Sequence, residues 1–155
     1  MKKIALYIVA FLTFSSSYAL QEKNLQETDE INATIEKLLS AAEESINRVD
    51  FDMALKQLNR ALDLSRKIDH PRLIALTSSM MAQLYYVRNE NDKATTELQR
   101  AISIQREIGD EAGLAYSYLN FGKIFNAKND YERAKGYYDL SETLYLKQEN
   151  SEGLG

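Results

Sequence analysis

The chain has 155 residues, 45% of them hydrophobic, with one proline, six glycines, no tryptophan and no cysteine. That length suits one domain or a short run of repeats, and so few breakers leave room for long helices and argue against an all-β fold. The missing cysteine excludes disulfides, a thiol nucleophile and cysteine-ligated zinc, and the net charge of −4 excludes a basic nucleic-acid footprint.

The chain opens with Lys2 and Lys3, then an apolar run from Ile4 to Phe14 broken only by Thr13. Ser17 and Ala19 are small residues in the −3 and −1 positions of a signal-peptidase site, which predicts a signal peptide over 1–19 cut before Leu20. The alternative is a retained anchor, although the run is shorter than the roughly 20 apolar residues a spanning helix needs. This start predicts an exported protein, periplasmic or secreted. Residues 20–28 read as a polar, flexible lead-in.

Six helices follow, at about 29–47, 51–67, 71–88, 91–107, 111–128 and 131–147. Asp50, Asp110 and Asp130 stand where an N-cap side chain accepts a backbone N–H, with Asn89 or Asn91 serving the middle unit. His70-Pro71 puts proline at a first helical position.

A forty-residue step organises these helices. Ala54, Ala94 and Ala134 share it, as do Leu58, Leu98 and Tyr138, and Ala61, Ala101 and Ser141. Leu64, Ile104 and Leu144 form another column, and Ala42, Ala82 and Gly122 a fifth, preceded by Ala41, Met81 and Phe121. The small residues let paired helices approach closely, and hairpins this short must stack to bury their apolar faces. The units run over about 29–68, 69–108 and 109–148, within a domain at 29–150. Gly113-Leu114-Ala115 recurs as Gly153-Leu154-Gly155, so 151–155 reads as the start of a fourth unit. On the last helix, Tyr137, Leu140, Leu144, Tyr145 and Leu146 exceed what one apolar stripe can bury. That predicts a longer superhelix or self-association through this helix.

Little in the sequence points to catalysis. His70 is the one histidine and fits a helix start, so neither a multi-histidine metal site nor a Ser–His–Asp set is apparent. Glu43-Glu44 and the Glu27/Asp29/Glu30 group read as solvated helix faces. No cofactor and no metal are expected.

The third unit carries the pattern of a known family: Tyr118, Phe121-Gly122, Phe125, then Tyr131, Ala134, Tyr138 and Ser141. The second matches at Met81-Ala82, Tyr85, Ala94, Leu98 and Ala101, and the first at Phe51, Ala54, Leu58 and Ala61, with Ser45 where an aromatic belongs. These units resemble the tetratricopeptide repeat (TPR), in a forty-residue variety similar to units in the sensory regions of bacterial two-component proteins. The resemblance implies an all-α solenoid of helical hairpins, about six antiparallel helices in a right-handed superhelical segment. It further implies a non-catalytic scaffold binding a protein or peptide, with no nucleic acid and no membrane once the signal is removed. First helices line the family's groove, which places Leu76, Ser79, Gln83 and Tyr86 of the second unit there, with Tyr116, Leu119, Asn120, Lys123 and Asn126 of the third. Asn120 and Lys123 suit a peptide backbone or a carboxylate. Tyr85, Tyr118, Tyr131 and Tyr138 read as packing residues, Tyr86 and Tyr116 as surface residues. Two other functions stand beside this one: a sensory or regulatory fragment of a longer two-component kinase or transcriptional regulator, and an exported enzyme such as a hydrolase.

Overall fold

The computed structural model describes the backbone of residues 2–152 and the side chains of residues 20–149. Six α-helices and no strand occur among these residues: α1 (Lys2–Asn47), α2 (Phe51–Lys67), α3 (Pro71–Val87), α4 (Asn91–Ile108), α5 (Glu111–Ala127) and α6 (Tyr131–Glu152). The all-α expectation holds, and α2 to α6 begin where predicted. The signal-peptide reading of 1–19 and the fourth-unit reading of Gly153 to Gly155 fall outside the residues whose side chains are described.

The first compact unit is Met1–Thr34. Its residues 20–28, expected to be flexible, are helical. Leu, Gln, Glu and Lys dominate that stretch and all propagate a helix well. Thr28 Oγ1 donates to the Asn24 carbonyl at 2.9 Å, and Leu20 and Leu25 are exposed.

The second unit, Ile35–Gly155, contains the repeats. Its helices are joined by one device used five times. Val49, Asp69, Asn89, Gly109 and Asn129 adopt left-handed backbone, with φ of 63°, 49°, 62°, 69° and 60°. They lie twenty residues apart. After each, the next N–H reaches back to the carbonyl five residues earlier: Asp50 to Ser45, His70 to Ser65, Glu90 to Tyr85, Asp110 to Gln105 and Asp130 to Phe125, at 2.8–3.0 Å. This is a Schellman stop. The residue that closes it is also the N-cap of the following helix, so reversal takes very few residues. Asp50, His70, Asp110 and Asp130 accept N–H bonds from Met53, Leu73, Gly113 and Arg133 at 3.1–3.3 Å.

The middle turn departs from the expected cap. Asn89 is the left-handed residue and Asn91 the first helical one, while the N-cap is Glu90, which makes no side-chain cap bond. Its carboxylate instead binds Lys93 and Arg88, at 2.5 and 2.6 Å, and the Lys93 hydrogen bond is the main cause holding it below the usual carboxylate range.

Val49 is the costly member of this series, because a β-branched side chain crowds the left-handed backbone. It is exposed, so its side chain offers little packing in return. Val49→Asn copies Asn89 and Asn129 and is expected to raise the unfolding free energy by about 1 kcal/mol. A urea midpoint that stays put or falls would contradict this strain.

The core follows the forty-residue columns. Ala54, Ala94, Ala61, Ala101, Leu58 and Leu98 are fully buried, as are Ala134 and Ser141 to within a few percent. Ser141 occupies an alanine position without leaving a polar orphan, since its Oγ donates to the Ala115 carbonyl at 2.8 Å. On α6, Leu140, Tyr145 and Leu146 are exposed, and Tyr137 and Leu144 pack against the core shared by the second and third repeats. Among the described residues no helix is long and apolar enough to cross a membrane.

Candidate functional site on the first helices

The first helices of the second and third repeats, α3 and α5, bring Gln83, Tyr116, Asn120 and Lys123 together. Helical spacing aligns the last three, at i, i+4 and i+7 of α5. The Tyr116 hydroxyl donates to Gln83 Oε1 at 2.6 Å, joining the two repeats. Lys123 Nζ approaches Asn120 Oδ1 at 3.5 Å. Asn120 is 5% exposed, and its Nδ2 is buried with no hydrogen-bond partner among the described residues. Burial holds the Tyr116 phenol above its usual range. The Asn120 amide beside it works the other way, and Glu43 and Tyr145 raise it further.

Glu43 was not among the expected groove residues. The signal that finds it is the repeat step itself: Glu43, Gln83 and Lys123 lie forty apart, on α1, α3 and α5. The same surface position therefore reads acid, amide, amine along the stack.

The remaining expected positions fall differently. Leu119 is half-buried, whereas Leu76 and Asn126 are exposed and take no part in this network. Ser79 does not join it: its side chain is fully buried, bonded to Ser117 Oγ at 3.0 Å and within 3.5 Å of Gln105 Nε2. Tyr86, read as a surface residue, packs partly buried against the core shared by the second and third repeats. Tyr131, read as a packing residue, is 64% exposed. Tyr118 is buried and Tyr138 half-buried, as packing residues should be.

Comparison with known proteins supports this architecture. Residues 38–129 match the family described as Anaphase-promoting complex subunit 5. Tetratricopeptide repeat protein 19, mitochondrial, is 28% identical over 152 residues in Rattus norvegicus and 28% over 150 residues in Danio rerio. These alignments take in 95% and 94% of the chain but 42% and 36% of the relatives, so the chain spans about two fifths of their length. Among solved structures, BtubC (BKLC) from P. vanneervenii is 26% identical with a TM-score of 0.67, over 76% of this chain and 48% of that one. The TPR domain of Arabidopsis FLU has a TM-score of 0.65 at 14% identity, over 77% of this chain and 98% of that one, a likeness of fold alone.

These relatives correct one expectation. The periplasmic or secreted location read from the N-terminal pattern is overturned by curated relatives that are mitochondrial proteins by name. A basic start before an apolar run signals targeting, and it does not alone specify the compartment. A two-component sensory fragment is not favoured either.

Proposed function

Because the chain belongs to the tetratricopeptide-type repeat family described as Anaphase-promoting complex subunit 5, we propose that it is a non-catalytic scaffold that docks a peptide segment of a partner protein along α3 and α5. The observation that carries this reading is the Lys123 amine held beside Asn120 on the α5 stripe that Tyr116 joins to Gln83 of α3. The partly exposed Lys123 amine offers a charge-assisted contact to a peptide carbonyl or carboxylate. Tyr116 and Leu119 supply apolar area beside those donors, and the Tyr116–Gln83 bond fixes the ring before any partner arrives.

The test is Asn120→Ala combined with Lys123→Ala. Affinity for a partner peptide is expected to fall about tenfold or more, the scale of one charge-assisted contact, with helicity by circular dichroism unchanged. Undiminished affinity in the folded double variant would remove these residues from the site.

A further inference from the structure

A cleft of about 630 Å³ opens between α4 and α6 over α5, and none of the groove residues lines it. Its floor is aromatic. Tyr118 and Phe121 are buried, Phe121 and Tyr137 stack with centroids 4.9 Å apart, and Phe125 lies 5.4 Å from Tyr137 and within 3° of parallel. Two guanidinium groups border it. Arg133 lies 4.4 Å over the Phe125 ring and donates Nε to Asp130 Oδ2 at 2.6 Å. Arg106 donates Nη2 to the Tyr118 hydroxyl at 2.9 Å, and no carboxylate pairs with it among the described residues. Most of its five donors are therefore uncommitted.

The repeat itself shows that this charge pattern is particular to the third unit. Forty residues earlier, Arg66 and Lys93 hold the positions of Arg106 and Arg133. There Asp63 and Glu97 stand at the positions taken here by Ser103 and Tyr137, Glu97 pairing with Arg100 and Lys93 with Glu90. The third unit keeps both cations, loses both acids and gains a ring.

We propose that this cleft is a second binding site, taking a protein segment that carries a carboxylate beside an aromatic side chain. The ring is received by the Phe125–Tyr137 stack, and the carboxylate takes the free edge of Arg106, whose planar fork matches it. The volume lies within the roughly 300–1,000 Å³ usual for such pockets. One uncommitted guanidinium matches a single carboxylate, while the net charge of −4 disfavours polyanionic nucleic acid and anionic bilayers.

N-acetylphenylalanine is a small probe with both groups. Titrated into the full ¹⁵N-labelled chain, it is expected to give saturable shifts at the amides of Arg106, Phe121 and Tyr137. Its neutral primary amide should bind about tenfold more weakly, the scale of one charge-assisted pair. Arg106→Gln and, independently, Ser103→Asp should weaken the acid by a similar factor with helicity intact. Asn120→Ala with Lys123→Ala should leave it unchanged, which separates this cleft from the groove. Equal affinity for acid and amide, or shifts confined to the groove residues of α3 and α5, would overturn the proposal. So would Arg106-dependent binding of phosphatidylserine vesicles without binding of the acid, since the occupant would then be a membrane.

Discussion

Replacing Ser79 and Ser117 together by alanine is expected to destabilise the chain by about 3 kcal/mol, and adding Gln105→Leu should recover most of that loss. The three side chains meet where α3, α4 and α5 pack, all within 2% of full burial. Ser117 Oγ donates to Gln105 Oε1 at 2.9 Å, Gln105 Nε2 lies 3.5 Å from Ser79 Oγ, and Ser79 Oγ also reaches the Ala75 carbonyl at 3.1 Å. Truncating both serines strands a whole amide in the core, with neither its oxygen nor its nitrogen paired. Each buried orphan costs roughly 1–3 kcal/mol, whereas removing every polar member of a network can be nearly neutral. Gln105→Leu alone is milder, because Ser117 can still donate to Ser79 and Ser79 to Ala75. Denaturation midpoints of the double and triple variants decide it. A triple variant no more stable than the double would show that packing, rather than hydrogen bonding, dominates this junction.

That network marks the boundary of what is legible in the sequence. Helix positions and core columns are legible because they obey local periods: 3.6 residues within a helix and forty between repeats. Asp50, Asp110, Asp130 and His70 announce helix starts through side chains that accept a hydrogen bond. Glu90 gives no such signal, because the Schellman stop closes through backbone atoms and leaves its carboxylate to Arg88 and Lys93. Ser79 shares a helical stripe with groove positions, yet its direction is decided by Ser117 and Gln105, 38 and 26 residues away. No spacing within α3 contains that information. The same limit explains Tyr86, which packs against a cluster built from residues of both the second and third repeats. Of the candidate site, Gln83, Tyr116, Asn120 and Lys123 follow from the family resemblance, which puts first helices on the groove, and Glu43 is legible only when the forty-residue step is applied to Gln83 and Lys123.

Gly122→Ala is expected to cost about 1–2 kcal/mol, although alanine ordinarily stabilises a helix interior over glycine by about 1 kcal/mol. A Cβ at Gly122 would lie within the van der Waals envelope of the Tyr138 ring, facing Cδ1, Cε1 and Cζ. Tyr138 is half-buried, so it can swing aside only by giving up packing on α5. The earlier repeats resolve the same position differently: Ala82 accompanies Leu98 and Ala42 accompanies Leu58. Where the α6 residue is larger, its α5 partner is smaller by the one methyl that matters. Combining Gly122→Ala with Tyr138→Leu reproduces the second repeat's pair and should return the helix-propensity gain that the clash conceals. A double-mutant cycle should therefore show a favourable coupling of about 2 kcal/mol, near the upper part of the range for residues in contact. Tyr138→Leu alone should also lose stability, by leaving a void opposite a glycine. Simple additivity would mean that α6 moves to admit the methyl, and that the column is held by backbone approach rather than by matched side-chain size.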